Sequence, residues 1–330
     1  MKKINIDILR LIAAFMIVAI HTYPFEFISA DIDFLITRVL FRVAVPFFLM
    51  ITGYFTLSKN NKDILIKYTK KISLIYGICF LLYLPINIYN GYFHNFHILS
   101  FLKDIFLTGT FYHLWYFPAL ILGIWICYLF INKLSLKKSL IIAVILYIIG
   151  IFGDSYYGLI ASIPLINLLY KPIFFLFDYT RNGILYVPIF LLMGYAINKK
   201  SFEISKNKYP YIFIFIITLI IEGIITLKFN LYRHSSMYFS LIPLMYMLFS
   251  YLMNNYTSNK DIRSLGTYIY ILHPFFIVVM HFVSKIIKLS ILNNSLVNFI
   301  LVALLTSIAS FLIDYIIKKI NVYNSSKASS

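Results

Sequence analysis

The chain has 330 residues, 61% of them hydrophobic and only 12% charged, with 29 lysines and arginines against 12 carboxylates and a formal charge of +17. Apolar runs recur along its whole length, more than a soluble domain of this size could bury, which excludes a water-soluble globular enzyme. The composition predicts an all-α polytopic membrane protein, in which an excess of positive charge first reports orientation and only then partners.

At about 20 apolar residues per crossing, about ten transmembrane helices are predicted, at 4–23, 34–57, 72–89, 113–132, 139–157, 183–198, 210–227, 238–253, 265–284 and 294–317. The first, "MKKINIDILRLIAAFMIVAIHTYPF", begins like a signal peptide. Asp7 and Arg10 interrupt its apolar part and no small-residue cleavage site follows, so it is expected to remain as a helix.

With N- and C-termini cytoplasmic, nineteen basic residues fall in inner segments, Lys2, Lys3, Lys206 and Lys260 among them, and seven in outer ones. That asymmetry fits ten crossings of the cell membrane, reads the charge as a topology signal that also holds anionic lipid headgroups, and leaves no need for nucleic acid as a partner. Residues 1–320 are expected to form a single transmembrane domain and 321–330 a short disordered cytoplasmic tail.

Charged groups inside spans are costly and each needs a partner or a watery cavity. On the first helix Arg10 and His21 are eleven residues apart, about 1100° and about 16.5 Å, so they share a face with only about 20° of offset. Asp7, three residues before Arg10, is placed to pair with the guanidinium. Either both side chains line one wall of a cavity, or Arg10 snorkels to headgroups and His21 caps the outer end.

In the second span, Arg38 and Arg42 are expected at i and i+4 on one helical face, followed by a kink at Pro46. Cys79 and Cys127 sit in apolar runs and are read as packing residues. His94 and His97 lie in an outer loop without nearby carboxylates, and no metal is expected there or elsewhere. The fourth span opens with His113, Trp115 and Tyr116, of which the last two suit an interfacial aromatic belt.

Residues 158–182 are too apolar for an ordinary loop and are broken by Pro164 and Pro172, which leaves an interfacial or a re-entrant segment open. Glu222, deep in the seventh span, calls for an intramembrane cation such as Arg42 and reads as structural or proton-handling. His273 precedes Pro274 in the ninth span, where it can satisfy a kinked backbone.

These residues carry a resemblance. "IDILRLIAAFMIVAIH" resembles the Arg-x10-His signature of the acyltransferase 3 family of membrane O-acyltransferases. "RVAVPFFLMITGYF", "HLWYFPALILG" and "LGTYIYILHPFF" are similar to three further family blocks in the same order. "TRNGILYVPIFLLMGYAI" narrows the likeness toward the membrane module of vancomycin-type, membrane-bound serine racemases. The pyridoxal phosphate domain that follows in those proteins is not found in this sequence, so racemization is not expected of it, nor is the soluble esterase-like domain of some envelope-modifying relatives.

The resemblance implies His21 as the catalytic histidine and Arg10 as the essential arginine, an acyl-CoA donor, acetyl-CoA by preference, as cytoplasmic co-substrate, and an envelope glycan or small hydroxyl acceptor. Chemistry adds roles: His21 as general base or transient acyl carrier, Arg10 with Arg38 on the donor phosphates, and Arg42 or His113 polarising the carbonyl. Asp7, Trp115, Tyr116, Glu222 and His273 are expected in support. The competing reading is a small-molecule, serine-like transporter.

Overall fold

A hydrocarbon core of about 30 Å asks for helices of about 20 residues. Among the described residues six segments are long and apolar enough: Ala30–Lys59, Lys62–Tyr89, Tyr116–Lys133, Tyr209–Lys228, Leu265–Ile287 and Ser295–Asn321. The computed structural model describes residues 4–94, 96–201, 208–254, 256–259, 261–288 and 290–328. Lys2, Lys3, Lys206 and Lys260 of the expected inner segments lie outside them, as do positions 329–330 of the expected tail.

In chain order the elements are strand β1 (Ile4–Asn5), α1 (Ile6–Thr22), α2 (Ala30–Thr37), α3 (Ala44–Phe55), α4 (Lys62–Tyr89), α5 (Ile98–Lys103), α6 (Tyr116–Lys133), α7 (Leu136–Phe152), α8 (Tyr157–Ala161) and α9 (Pro164–Phe177). They continue with α10 (Val187–Asn198), α11 (Tyr209–Lys228), α12 (Leu241–Met253), strand β2 (Tyr256–Thr257), α13 (Leu265–Ile287) and α14 (Ser295–Ala328). Among the described residues the chain is thus predominantly helical, with one short parallel β pairing as an addition to the all-α expectation.

Two segments depart from the sequence reading for local reasons. Residues 34–57 do not form one helix: α2 ends at Thr37, Leu40–Val43 is a 3-10 turn, and α3 starts at Ala44. Pro46 therefore sits in the first turn of α3, where its missing N–H costs no helical hydrogen bond, and it starts a helix rather than kinking one. At the other end, α14 runs on to Ala328 through most of the expected tail, because nothing after Asn321 in "VYNSSKA" is a proline or glycine that would stop it.

The chain forms two compact units, Met1–Ala44 with Leu252–Ser330, and Val45–Tyr251. In the first, α1 packs on α13 and α14. Two observations show that α1 and α13 run in the same direction. β1 and β2, just ahead of them, pair in parallel, and Gly266 meets Arg10 while His273 meets His21. α14 returns: Ser264 bonds Asp314, and Lys318 Nζ donates to the Asp261 carbonyl at 2.9 Å. The starts of α1 and α13 and the Asp314–Lys318 turn of α14 therefore lie at one end of this unit.

In the second unit α10 is the core, with almost every side chain buried and α6 and α7 against it. Its approach to α3 is set by two glycines. A Cβ on Gly194 would stand 2.2 Å from the Met50 carbonyl oxygen, and one on Gly53 would stand 2.1 Å from that of Leu191. No side chain fits at either place, so the two backbones touch. Residues 158–182 form α8 and α9. The 14 residues of α9 span about 21 Å, short of a crossing, and only Tyr170 among them is buried, its hydroxyl donating to the Ile149 carbonyl at 2.7 Å.

Candidate functional site

The first turn of α1 is built on Asp7, which is fully buried. Asn5 caps the helix by accepting from the backbone N–H of Asp7 at 3.0 Å. The carboxylate takes Arg10 Nη1 at 2.6 Å, as the i, i+3 spacing predicts. It also takes Ser258 Oγ at 2.6 Å and the Asn259 N–H at 2.8 Å, with Arg263 Nε at 3.6 Å. The donors around it leave neither oxygen of this buried carboxylate without a polar partner. It fixes the direction of Arg10 and ties the start of α1 to the loop before α13. The loop partners Ser258, Asn259 and Arg263 escaped the sequence reading, since nothing local links them to residue 7.

α1 is unbroken from Ile6 to Thr22, so Arg10 and His21 keep the shared face, about 20° apart around the axis and about 16.5 Å along it. His21 occupies the last turn, after which Tyr23 adopts a left-handed conformation (φ 51°) and ends the helix. Its ring stacks on that of His273, with centroids 5.4 Å apart and planes inclined by 25°.

His273 is fully buried, and its Nδ1 lies 2.9 Å from the Tyr270 carbonyl and 3.2 Å from that of Ile269. Carbonyl oxygens only accept, so Nδ1 carries a proton. The reason is local. Pro274 has no N–H to give to the carbonyl four residues back, which is that of Tyr270, and the histidine beside it supplies the missing donor. The expected service to an interrupted backbone is thus present. The stack on His21 was not legible in the sequence.

Arg38 and Arg42 belong to the same unit but do not stand at i and i+4 of one α-helix, because the backbone breaks between them at Val39. Arg38 donates from Nη2 to the Tyr23 hydroxyl at 3.0 Å and lies over that ring at 5.1 Å. Arg42 is buried in the 3-10 turn.

The remaining expected residues fall in the second unit. His113 precedes α6, which starts at Tyr116 rather than at 113 because residues 111–115 form turns. Instead of facing the interface its ring is buried against Tyr83 at 4.9 Å, Phe111 at 5.8 Å and Tyr112 at 5.6 Å. Trp115, with Tyr116 beside it at 6.4 Å, carries the Arg181 guanidinium 4.9 Å above its ring; Arg181 also lies 5.0 Å over Tyr179.

Glu222 corrects the sequence reading. Its oxygens are taken by the Tyr156 hydroxyl at 3.1 Å and the backbone N–H groups of Phe239 at 2.7 Å and Ser240 at 2.9 Å. Those N–H groups belong to the turn just before α12, so backbone donors and a tyrosine hydroxyl supply what a cation was expected to supply.

Sequence reasoning missed Asp154, whose buried carboxylate accepts from the N–H groups of Ser236 at 2.6 Å and Met237 at 2.9 Å and the hydroxyls of Ser236 at 2.6 Å and Ser155 at 3.0 Å. One of only twelve acids, closing an apolar run in "FGDS", was the signal.

Known proteins agree with the motifs. A family model described as an acyltransferase domain, that of the acyltransferase 3 family, matches residues 3–315. An amino-acid racemase of Enterococcus faecalis is 41% identical over 331 residues, covering 96% of this chain and 47% of the relative. A second protein of that name and organism is 42% identical over 253 residues, 76% of this chain and 36% of the relative. A serine/alanine racemase of Enterococcus gallinarum is 36% identical over 319 residues, 93% of this chain and 45% of the relative. The chain spans less than half the length of each of these relatives, and no solved structure matches it. A family model covering nearly the whole chain, on a helical scaffold with membrane-length apolar segments, identifies a membrane protein that belongs to the acyltransferase 3 family.

Proposed function

We propose that the protein transfers an acyl group, acetyl by preference, from acyl-CoA at the cytoplasmic side to a hydroxyl of an envelope carbohydrate or a similar acceptor. The observation that carries this reading is the pairing, on one unbroken helix, of an arginine fixed by a buried carboxylate with a histidine stacked against a second helix. Transfer from a thioester to a hydroxyl needs a base for the hydroxyl proton and positive charge near the developing oxyanion. His21 takes the proton, or carries the acyl group in passing. Arg10, about 16.5 Å away along the helix, binds donor phosphate through a guanidinium suited to phosphate oxygens; Arg38, held by the Tyr23 hydroxyl at the opposite end of that helix, does not join it there, and Arg42 polarises the carbonyl.

The same proposal includes ten crossings of the cell membrane with both chain ends cytoplasmic. The basic residues of the inner segments support it. So does the geometry of the first unit, where the starts of α1 and α13 and the Asp314–Lys318 turn share one end.

A second reading is a transporter for a serine-like amino acid, favoured by the serine/alanine racemase whose sequence aligns with nearly all of this chain. Proteoliposomes separate the two. Labelled acetyl-CoA with an envelope-carbohydrate extract measures acyl transfer, and labelled serine measures uptake, for the wild type and a His21→Ala variant that inserts normally. Acyl transfer lost in the variant supports the enzyme. Acyl transfer retained while serine uptake collapses replaces it with the transporter.

A further inference from the structure

We infer that His273 is a positioning residue for His21, holding its imidazole in one orientation on the last turn of α1. The catalytic consequence rests on the acyl-transfer reading; the placement rests on geometry alone.

His21 stands one residue before the end of its helix, where Tyr23 turns the backbone away. Side chains of a terminal turn have few neighbours of their own helix to restrict them, and a rotatable imidazole there samples several rotamers. A general base needs one orientation.

His273 supplies the restraint, for three reasons. Its own ring cannot turn freely, because Nδ1–H is committed to the Tyr270 carbonyl that Pro274 leaves without a helical donor. It is fully buried on α13. And α13 is held close to α1 at the other end of the contact by Gly266, where even a Cβ would come within 3.2 Å of the Arg10 carbonyl oxygen. The wall on which His21 stacks is therefore fixed in position and in ring orientation. Satisfying a kinked backbone would need only the Nδ1–H group; a stacked ring is an additional property that a purely structural histidine does not require.

Two substitutions separate the properties in the full-length protein in nanodiscs. His273→Asn keeps a donor at the position of Nδ1 and removes the ring, whereas His273→Phe keeps a ring and removes the donor. The first readout is the rate at which diethyl pyrocarbonate modifies His21, followed by peptide mass spectrometry. The second is kcat and KM for acetyl-CoA.

A positioning role predicts His21 modified several-fold faster in His273→Asn and near the wild-type rate in His273→Phe. It also predicts kcat several-fold lower in the Asn variant, with KM for acetyl-CoA unchanged. Equal modification rates in the wild type and the Asn variant overturn the inference, and where His273→Phe fails to fold the Asn variant decides alone. A wild type with no acyl transfer but with ring-dependent protection of His21 removes the acyl-transfer reading and leaves the positioning role standing.

Discussion

Replacing Asp7 by alanine is the sharpest test of how the start of α1 is held. Three short hydrogen bonds end on its carboxylate, from Arg10 at 2.6 Å, Ser258 at 2.6 Å and the Asn259 N–H at 2.8 Å. Bonds to an ionised acceptor contribute about 1.5–3 kcal/mol each, a gross loss of roughly 5–9 kcal/mol. Part of it returns, because Arg10 retains 16% side-chain exposure and Arg263 47%, so both reach water or headgroups. The Arg263 contact itself, exposed and at 3.6 Å, contributes little. The net cost expected is about 3–5 kcal/mol, the range for breaking a buried pair from one side.

Asp7→Asn, which keeps the shape and loses the charge, is expected to cost about half as much. Equilibrium unfolding in dodecylmaltoside micelles with rising dodecyl sulfate measures both variants. Hydrogen exchange across Ile4–Asn5 and Tyr256–Arg263 locates the damage. An Asp7→Ala variant within about 1 kcal/mol of wild type, an ordinary surface-substitution effect, would refute the view that this carboxylate joins α1 to the loop before α13.

Other outcomes follow from the same packing. Gly53→Ala places a methyl 2.1 Å from the Leu191 carbonyl oxygen, forces α3 and α10 apart, and is expected to cost about 1–3 kcal/mol as over-packing in the same unfolding assay. Glu222→Ala removes the acceptor for two backbone N–H groups of the turn before α12 and is expected to cost about 1–3 kcal/mol as donors left unsatisfied, with faster hydrogen exchange at Phe239 and Ser240. Asp154→Asn is expected to free the segment 234–237 that its two oxygens organise, read as new protease cleavage there. Arg10→Lys keeps the charge but not the fork that matches phosphate, so KM for acyl-CoA should rise while protein levels in the membrane stay constant.

What the sequence made legible is what local geometry decides. The Asp7–Arg10 pair follows from three residues of helical spacing, and the bond from His273 to the Tyr270 carbonyl follows from proline chemistry one residue away. Hydropathy found the membrane-length segments because burial in lipid demands them. It passed over the break between Arg38 and Arg42, since a 3-10 turn of apolar residues is as hydrophobic as a helix. Glu222 was assigned the wrong kind of partner because its backbone donors belong to the turn before α12, brought back by folding rather than by spacing. The His21–His273 stack was hidden for the same reason. It exists because α1 and α13 run side by side in the same direction, a pairing of distant segments that no local pattern encodes.

The central proposal is that His21 moves an acyl group onto an envelope hydroxyl. Mass spectrometry of alkali-labile esters on envelope carbohydrate tests it most directly, in cells carrying the wild type, the His21→Ala variant at equal membrane level, or neither. The account predicts ester on the carbohydrate with the wild type and background levels in both other strains; ester content identical in all three would contradict it.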